Sequence, residues 1–516
     1  MNFDLVFEQD FATLAELIGA HAVRQPCHPA LLQGERSIDY ASLDALMDRV
    51  AASLQRDRVQ PPEAIAICGA TSLEYAVVFL GALRAGVAVA PLAPSSTAES
   101  LAGMVADCGA KLLFLDRAVA KALEPVGAHI SATRIDLEGG EIEAWLAPAG
   151  AKPQPVAVEP DWAFNIIYSS GTTGTPKGIV QSHRMRWGHV RRGRTYGYGP
   201  DAVTLISTPL YSNTTLVSFF PTLALGGTVV LMAKFDVARY LALAQKHRVT
   251  HTMLVPVQYQ RIMAYPDFGK FDLSSFRMKF STSAPFPAAL KADVLKRWPG
   301  GLTEVYGMTE GGGTCILPAH EHPDKLHTVG RPAEGHDIRL IDEHGGEVPQ
   351  GEAGEVVGHS AMMMNGYHNQ PQKTAEAEWR DARGQRFIRT GDIGRFDADG
   401  FLTLLDRKKD MIISGGFNIF PSDLEAVLRQ HPAVADCAVV GVPSERWGET
   451  PVGFAVLKPG ARASAAELLA WTNGRLGKMQ RLADLELAAE LPRSAIGKVL
   501  KRELRDGYRV NNPPSG

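Results

Sequence analysis

The chain has 516 residues, with 53 Lys plus Arg against 56 Asp plus Glu and a formal net charge of −3. That balance excludes a broad basic footprint for nucleic acid and an acidic disordered tail, and the length exceeds one ordinary core, which gives about three domains or lobes. Cys27, Cys68, Cys108, Cys315 and Cys437 are scattered without a CxxC pair or a Cys/His cluster, which excludes a disulfide framework or structural zinc site and fits a reducing, cytoplasmic compartment.

The N-terminal run MNFDLVFEQDF has no basic segment followed by an apolar one, and the C-terminal NNPPSG carries no peroxisomal or lipidation signal, so no targeting segment is expected. Leu43, Leu46, Met47, Val50 and Leu54 share one face at helical spacing, which predicts a helix over 40–54. Ala64–Cys68 reads as a buried strand, 73–83 as a helix and 88–92 as a strand end. Short apolar strands follow over 111–115 and 162–168. Strands separated by helices imply parallel sheets covered on both faces. The uncharged stretch 216–233 imitates a membrane span. Its Pro221, the pair Gly226-Gly227 and the β-branched run after them favour a buried helix followed by a buried strand. From Gly335 the texture becomes antiparallel, with alternation over 336–342, a turn at Glu343-His344-Gly345-Gly346 and a strand over 354–358. After the charged segment Asp406-Arg407-Lys408-Lys409-Asp410 come a helix starting near Pro421, strands over 438–440 and 452–456, and a basic tail. This is the texture of a small separate α+β domain.

The sharpest motif is Tyr168-Ser169-Ser170-Gly171-Thr172-Thr173-Gly174-Thr175-Pro176-Lys177-Gly178, which follows a predicted strand. Its glycines allow close backbone approach, its hydroxyls and N–H groups can donate to phosphate oxygens, and Lys177 adds a cation. It is not a Walker loop, because no GK[ST] occurs.

This loop resembles the phosphate-binding signature of the acyl-adenylate-forming superfamily: acyl-CoA synthetases, aryl-CoA ligases, luciferase-like enzymes and peptide-synthetase adenylation domains. The resemblance continues in order through Tyr306-Gly307-Met308-Thr309-Glu310, Gly366-Tyr367 with Asn369 and Pro371, Arg389-Thr390-Gly391-Asp392, the segment 406–410, Gly415-Gly416-Phe417-Asn418 and Pro492 to Lys498. It implies an α/β fold with a large N-terminal domain of parallel-rich αβαβα sheets plus a small β-barrel-like part, residues 1–405. A hinge at 406–410 and a small mobile α+β domain over 411–516 complete it.

The implied activity is an ATP-dependent acid–CoA ligation. The acid attacks the α-phosphate of ATP, releasing pyrophosphate and leaving acyl-AMP, and CoA then displaces AMP. By resemblance, Ser169, Ser170, Gly171, Thr172, Thr173, Gly174, Lys177, Tyr306, Gly307, Asp392 and Arg407 bind the nucleotide. Thr309, Glu310 and Lys498 are catalytic, with Glu310 the Mg²⁺ ligand. Lys409 is the pivot, and Gly415, Gly416 and Phe417 face CoA. Lys501 and Arg502 read as solvated residues or as contacts to the CoA nucleotide. The acid pocket is expected from Tyr211, Ser212, Thr282, Ser283, Ala284, Met308 and Gly311.

Two departures bear on that pocket. Ser212 stands where relatives carry a gating histidine, and Thr282-Ser283-Ala284-Pro285 replaces Gly-Gly-Ala-Pro. Gly311-Gly312-Gly313 removes side-chain bulk from another wall. The apolar candidates Tyr211, Val217, Phe219, Phe220 and Met308 favour a hydrophobic aliphatic or aromatic acid. The expected partners are that acid, ATP and CoA, with no nucleic acid and no integral membrane association, and with a homodimer left open. The rival readings are a ligase loading a carrier protein, a luciferase-type oxygenase and a catalytically silent nucleotide-binding regulator.

Overall fold

The computed structural model describes residues 3–169, 177–414, 417–444, 446–477, 480–493 and 497–511. Contacts divide the chain into two units. The first comprises 1–326 with 332–337 and 358–388, and the second 327–331 with 338–357 and 389–516.

The first unit holds two large sheets. One is seven-stranded, in the order Gly366–Tyr367, Lys177–Ser182, Ala163–Ser169, Ala88–Leu92, Ala64–Cys68, Leu112–Leu115, Thr133–Asp136. Its inner pairs are parallel, while Ala163–Ser169 and Lys177–Ser182 run antiparallel. The other runs Cys315–Pro318, Gly301–Tyr306, Met278–Ser281, His251–Leu254, Val203–Ile206, Thr228–Leu231, Pro29–Gln33, Arg36–Asp39, again parallel in its interior. The strands read as continuous apolar runs because both faces are covered: every residue of Ala64–Cys68, Ala88–Leu92 and Leu112–Leu115 is buried.

The helices carry the expected stripes. Tyr40–Arg56 starts at Asp39, whose carboxylate accepts the Ser42 N–H, and buries Leu43, Met47, Val50 and Leu54. The stretch that imitated a span is the helix Asn213–Ala224 followed by the wholly buried strand Thr228–Leu231. Among the described residues no helix is long and apolar enough to cross a membrane.

In the second unit the predicted turn at 343–346 is present: the Asp342 N–H donates to the Gly346 carbonyl, and the Asp342 carboxylate accepts the His344 and Gly346 N–H groups. The antiparallel pairing over 389–407 sets Asp392 opposite Arg407. The remainder is a sheet of Phe417–Ile419, Ile412–Ser414, Gly448–Leu457 and Val434–Ser444, with Asp484–Leu487 added in parallel. Helices Pro421–Arg429, Ala465–Asn473 and Lys501–Asn511 accompany it.

Candidate active site

The antiparallel register of Ala163–Ser169 and Lys177–Ser182 places Ser169 opposite Lys177. The phosphate-loop candidates Ser170, Gly171, Thr172, Thr173 and Gly174, and the side chain of Ser169, lie outside the described residues. The flanking strands Ala163–Ser169 and Lys177–Ser182 are neighbours in one sheet, whereas a Walker loop opens a helix.

Lys177 Nζ stands 5.1 Å from the centroid of the Tyr367 ring. The Tyr367 hydroxyl donates to Glu310 Oε1 at 2.9 Å. Burial, reinforced by the Glu310 charge, pushes this phenol far above its ordinary range, so it remains a donor. Tyr367 is held by the pairing of 366–367 with Ile179 and Val180 and by its own N–H, which donates to Thr374 Oγ1 at 2.9 Å.

Thr309 and Glu310 lie on the turn between the antiparallel strands Gly301–Tyr306 and Cys315–Pro318, with Tyr306 half-buried opposite Cys315 and Gly307 exposed beside it. The Thr309 carbonyl accepts Gln181 Nε2 at 2.6 Å. Gln181 Oε1 in turn accepts Asn165 Nδ2 at 3.0 Å and an Arg186 guanidinium N–H. Met364 N–H donates to the Glu310 carbonyl at 2.8 Å, and Met308 packs on Ile179, Met364 and Ile388. The turn is thus fixed from both sides before any ligand arrives.

On the expected acid wall, Ser283 adopts φ 80°, a left-handed conformation in which glycine would carry no strain. Its hydroxyl is 2.6 Å from Thr214 Oγ1, which ties the half-buried segment Thr282-Ser283-Ala284 to the helix Asn213–Ala224. Ser212 is buried at the N-cap position of that helix, but its side chain makes no capping hydrogen bond.

Two expectations are corrected. Phe219 and Phe220 are core residues rather than an open acid wall: both are buried, and Phe220 contacts Phe79 and Phe164 at 5.4 and 5.0 Å between centroids. Tyr211 is half-buried, and burial raises its phenol above the ordinary range. Gly311 and Gly312 do not leave open space, because a Cβ on Gly311 (φ 76°) would collide with the Met362 carbonyl and come within 2.7 Å of Met185 Cε. One on Gly312 would come within 2.7 Å of Ile388 Cβ. These glycines permit close packing of chain on chain.

In the second unit, Arg407 Nε pairs with Asp392 Oδ1 at 2.9 Å, with the carboxylate largely buried and the guanidinium half-exposed. The two residues expected at the ribose therefore meet. Lys409 is exposed. Lys408 pairs with Glu355 at 2.9 Å, a buried carboxylate that Arg389 also contacts at 2.9 Å. Lys498 is exposed, following Gly497, whose carbonyl accepts Arg493 Nη1 at 2.6 Å. An antiparallel bridge joins Arg493 and Val499. Lys501 is not a solvated lysine, since it pairs with Glu425 at 2.8 Å, whereas Arg502 is exposed. Gly415, Gly416 and the Phe417 side chain lie outside the described residues.

Tyr367, Gln181 and Thr214 were missed as site residues. Tyr367 was visible inside the quoted Gly366-Tyr367 motif; nothing local marks Gln181 or Thr214, whose partners are distant in sequence.

Parallel-rich sheets, a Ser/Thr/Gly segment returning to the sheet beside a lysine, and a supported Thr-Glu turn define an acyl-adenylate-forming enzyme. The AMP-binding enzyme family matches residues 19–368, and the AMP-binding enzyme C-terminal domain matches residues 423–498. The chain is 35% identical to a feruloyl-CoA synthase from Amycolatopsis sp, covering 95% of this chain and 98% of the relative. It is 31% identical to the fatty acid–[acyl-carrier-protein] ligase ScoC of Streptomyces coeruleorubidus, covering 98% of each. Among solved structures, ATP-bound MatB from Rhodopseudomonas palustris superposes with a TM-score of 0.86 at 29% identity, covering 96% of this chain and 99% of that one. The chain belongs to the AMP-binding enzyme family of the acyl-adenylate-forming superfamily.

Proposed function

We propose that this chain is an acid–CoA ligase that joins a carboxylic acid to CoA through an acyl-adenylate. The observation that carries this reading is the assembly of Lys177, Tyr367 and Glu310 where the Ser/Thr/Gly segment returns to the sheet. A carboxylate is a poor acyl donor, since its leaving group would be oxide. Making acyl-AMP supplies a good leaving group but requires two anions to meet, so cations and donors must be fixed in advance. Lys177 offers positive charge at the end of the phosphate segment, and the Thr309 hydroxyl stands beside Glu310 for a phosphate oxygen.

Among the described residues no group of three or more His, Cys, Asp or Glu stands ready for a metal. A single carboxylate oriented by a phenol fits Mg²⁺, which is commonly held by one or two carboxylates plus substrate phosphates. When bound there it would neutralise phosphate charge. Glu310 would hold it, and Tyr367 would keep the carboxylate aimed.

In this reading Asp392 accepts the ribose hydroxyls, with Arg407 beside it. Lys498 serves adenylation and Lys409 is the pivot of a hinge at 406–410 between domains 1–405 and 411–516. Gly415, Gly416 and Phe417 serve CoA. ScoC, a ligase of fatty acids to an acyl-carrier protein, supports a second reading in which a carrier thiol replaces CoA. The test is release of AMP and pyrophosphate from ATP with an acid panel and free CoA as sole acceptor. Acid-dependent AMP with thioester supports the ligase, adenylation without thioester moves the acceptor to a carrier protein, and no acid-dependent turnover sinks both.

A further inference from the structure

The helix His183–Gly193 has two unlike polar sides. His183, Arg186, Trp187 and Val190 are buried, and Arg186 has partners there, Asn165 Oδ1 at 2.9 Å and the Phe164 and Phe220 rings. On the other side, Met185, His189 and Arg192 follow one another at spacings of four and three residues, which puts them in one row. Met185 lies against Gly311, so this row faces the segment that continues from Glu310. That segment leads to Thr314, whose N–H donates to His336 Nδ1 at 3.1 Å. His336 is electrostatically coupled to His189 and Arg192, and Tyr196 to the Arg192 guanidinium.

The cluster lacks a counter-charge. Among the described residues Arg192 makes no ion pair, and its Nη1 and the Nδ1 of His189 are buried without a hydrogen-bond partner. The charged or titratable groups that act on these residues are Arg186, Arg192, His336, His359 and Tyr196, with no carboxylate among them. Burial and this mutual repulsion hold His189 well below its ordinary range and bring His336 to about 4. Arg192 is half-buried, and a guanidinium with an N–H sequestered without a partner is unfavourable. It is kept where a ligand completes the pair, and its planar fork matches a carboxylate.

We propose that Arg192, His189 and His336 form an anion subsite at the remote end of the acid pocket, and that the acid activated by this chain bears a second carboxylate there. The inference rests on the ligase reading and replaces the expected hydrophobic acid with a dicarboxylic one. Its reacting carboxyl is at Thr309 and Glu310, its remote carboxylate at Arg192.

The test is kcat/KM for AMP release with CoA on matched pairs: hexanoate and adipate, octanoate and suberate, 3-phenylpropanoate and 3-(4-carboxyphenyl)propanoate. The dicarboxylate of at least one pair should exceed its partner by about tenfold or more. Arg192→Met should erase or reverse that ratio, and Arg192→Lys should retain part of it. Preference for the monocarboxylate in every pair, or an equal loss on both members in Arg192→Met, overturns the subsite. The wild-type ratios decide even if Arg192→Met does not fold. No AMP from any acid overturns the ligase reading itself, and the subsite with it.

Discussion

Glu310 is useful only if its carboxylate points consistently, and the Tyr367 hydroxyl at 2.9 Å provides that. A hydrogen bond to a charged acceptor contributes about 1.5–3 kcal/mol. Tyr367→Phe keeps the ring under Lys177 and removes only the donor. Acid-dependent pyrophosphate exchange should fall by about tenfold to a hundredfold, with more Mg²⁺ needed for half-maximal rate. Exchange at the wild-type rate and Mg²⁺ requirement would show that the phenol does not orient Glu310. At this scale sequence and structure differ most. Glu310, Lys177 and Asp392 were legible because their chemistry sits in short contiguous motifs. Gln181, Thr214 and the Arg192 cluster were not, because each acts through partners brought together only by folding. Phe219 and Phe220 misled for a related reason: an aromatic residue beside a pocket motif carries no mark of which helix face it takes.

Elements were far more legible. Runs such as Ala64–Cys68 have no polar residue to place, so their burial on both faces follows from composition. The helix Asn213–Ala224 was legible as an element, while the role of its first residues was not. Ser212 occupies the N-cap position without a side-chain capping bond, so it does not supply the ~1 kcal/mol typical of a working cap. Ser212→Ala should therefore leave the melting temperature almost unchanged, while a bulkier residue there should alter acid preference. A clear drop in melting temperature for Ser212→Ala would restore the capping role. In the segment 406–410, Lys408 is fixed on buried Glu355 and Lys409 is exposed, a difference that two adjacent lysines cannot reveal in sequence.

Across the whole molecule, buried neutral histidines set an acid limit on stability. His21 and His183 are 2% and 3% exposed, and burial lowers each from 6.5 to about 4. Between those values the unfolded chain binds protons that the folded chain refuses. Their contribution is fully present above pH 6.5 and is lost as pH falls toward 4, by about 3 kcal/mol for each histidine. Urea unfolding should show stability falling steeply over that window. His183→Phe, which keeps the edge-on ring contact to Phe164, should flatten the fall. Stability independent of pH from 7 to 4.5 would contradict the burial of neutral imidazoles.

The central claim is that this chain makes an acyl-adenylate and then a thioester with CoA, with Lys498 serving the first step. Its most direct test compares the two half-reactions in wild type and Lys498→Ala, using pyrophosphate exchange for adenylation and conversion of supplied acyl-adenylate to acyl-CoA for the second. Wild type should perform both. Lys498→Ala should lose adenylation by about a hundredfold or more and keep thioester formation near the wild-type rate. Equal loss of both half-reactions in the variant, or wild-type protein unable to perform either, would contradict the account.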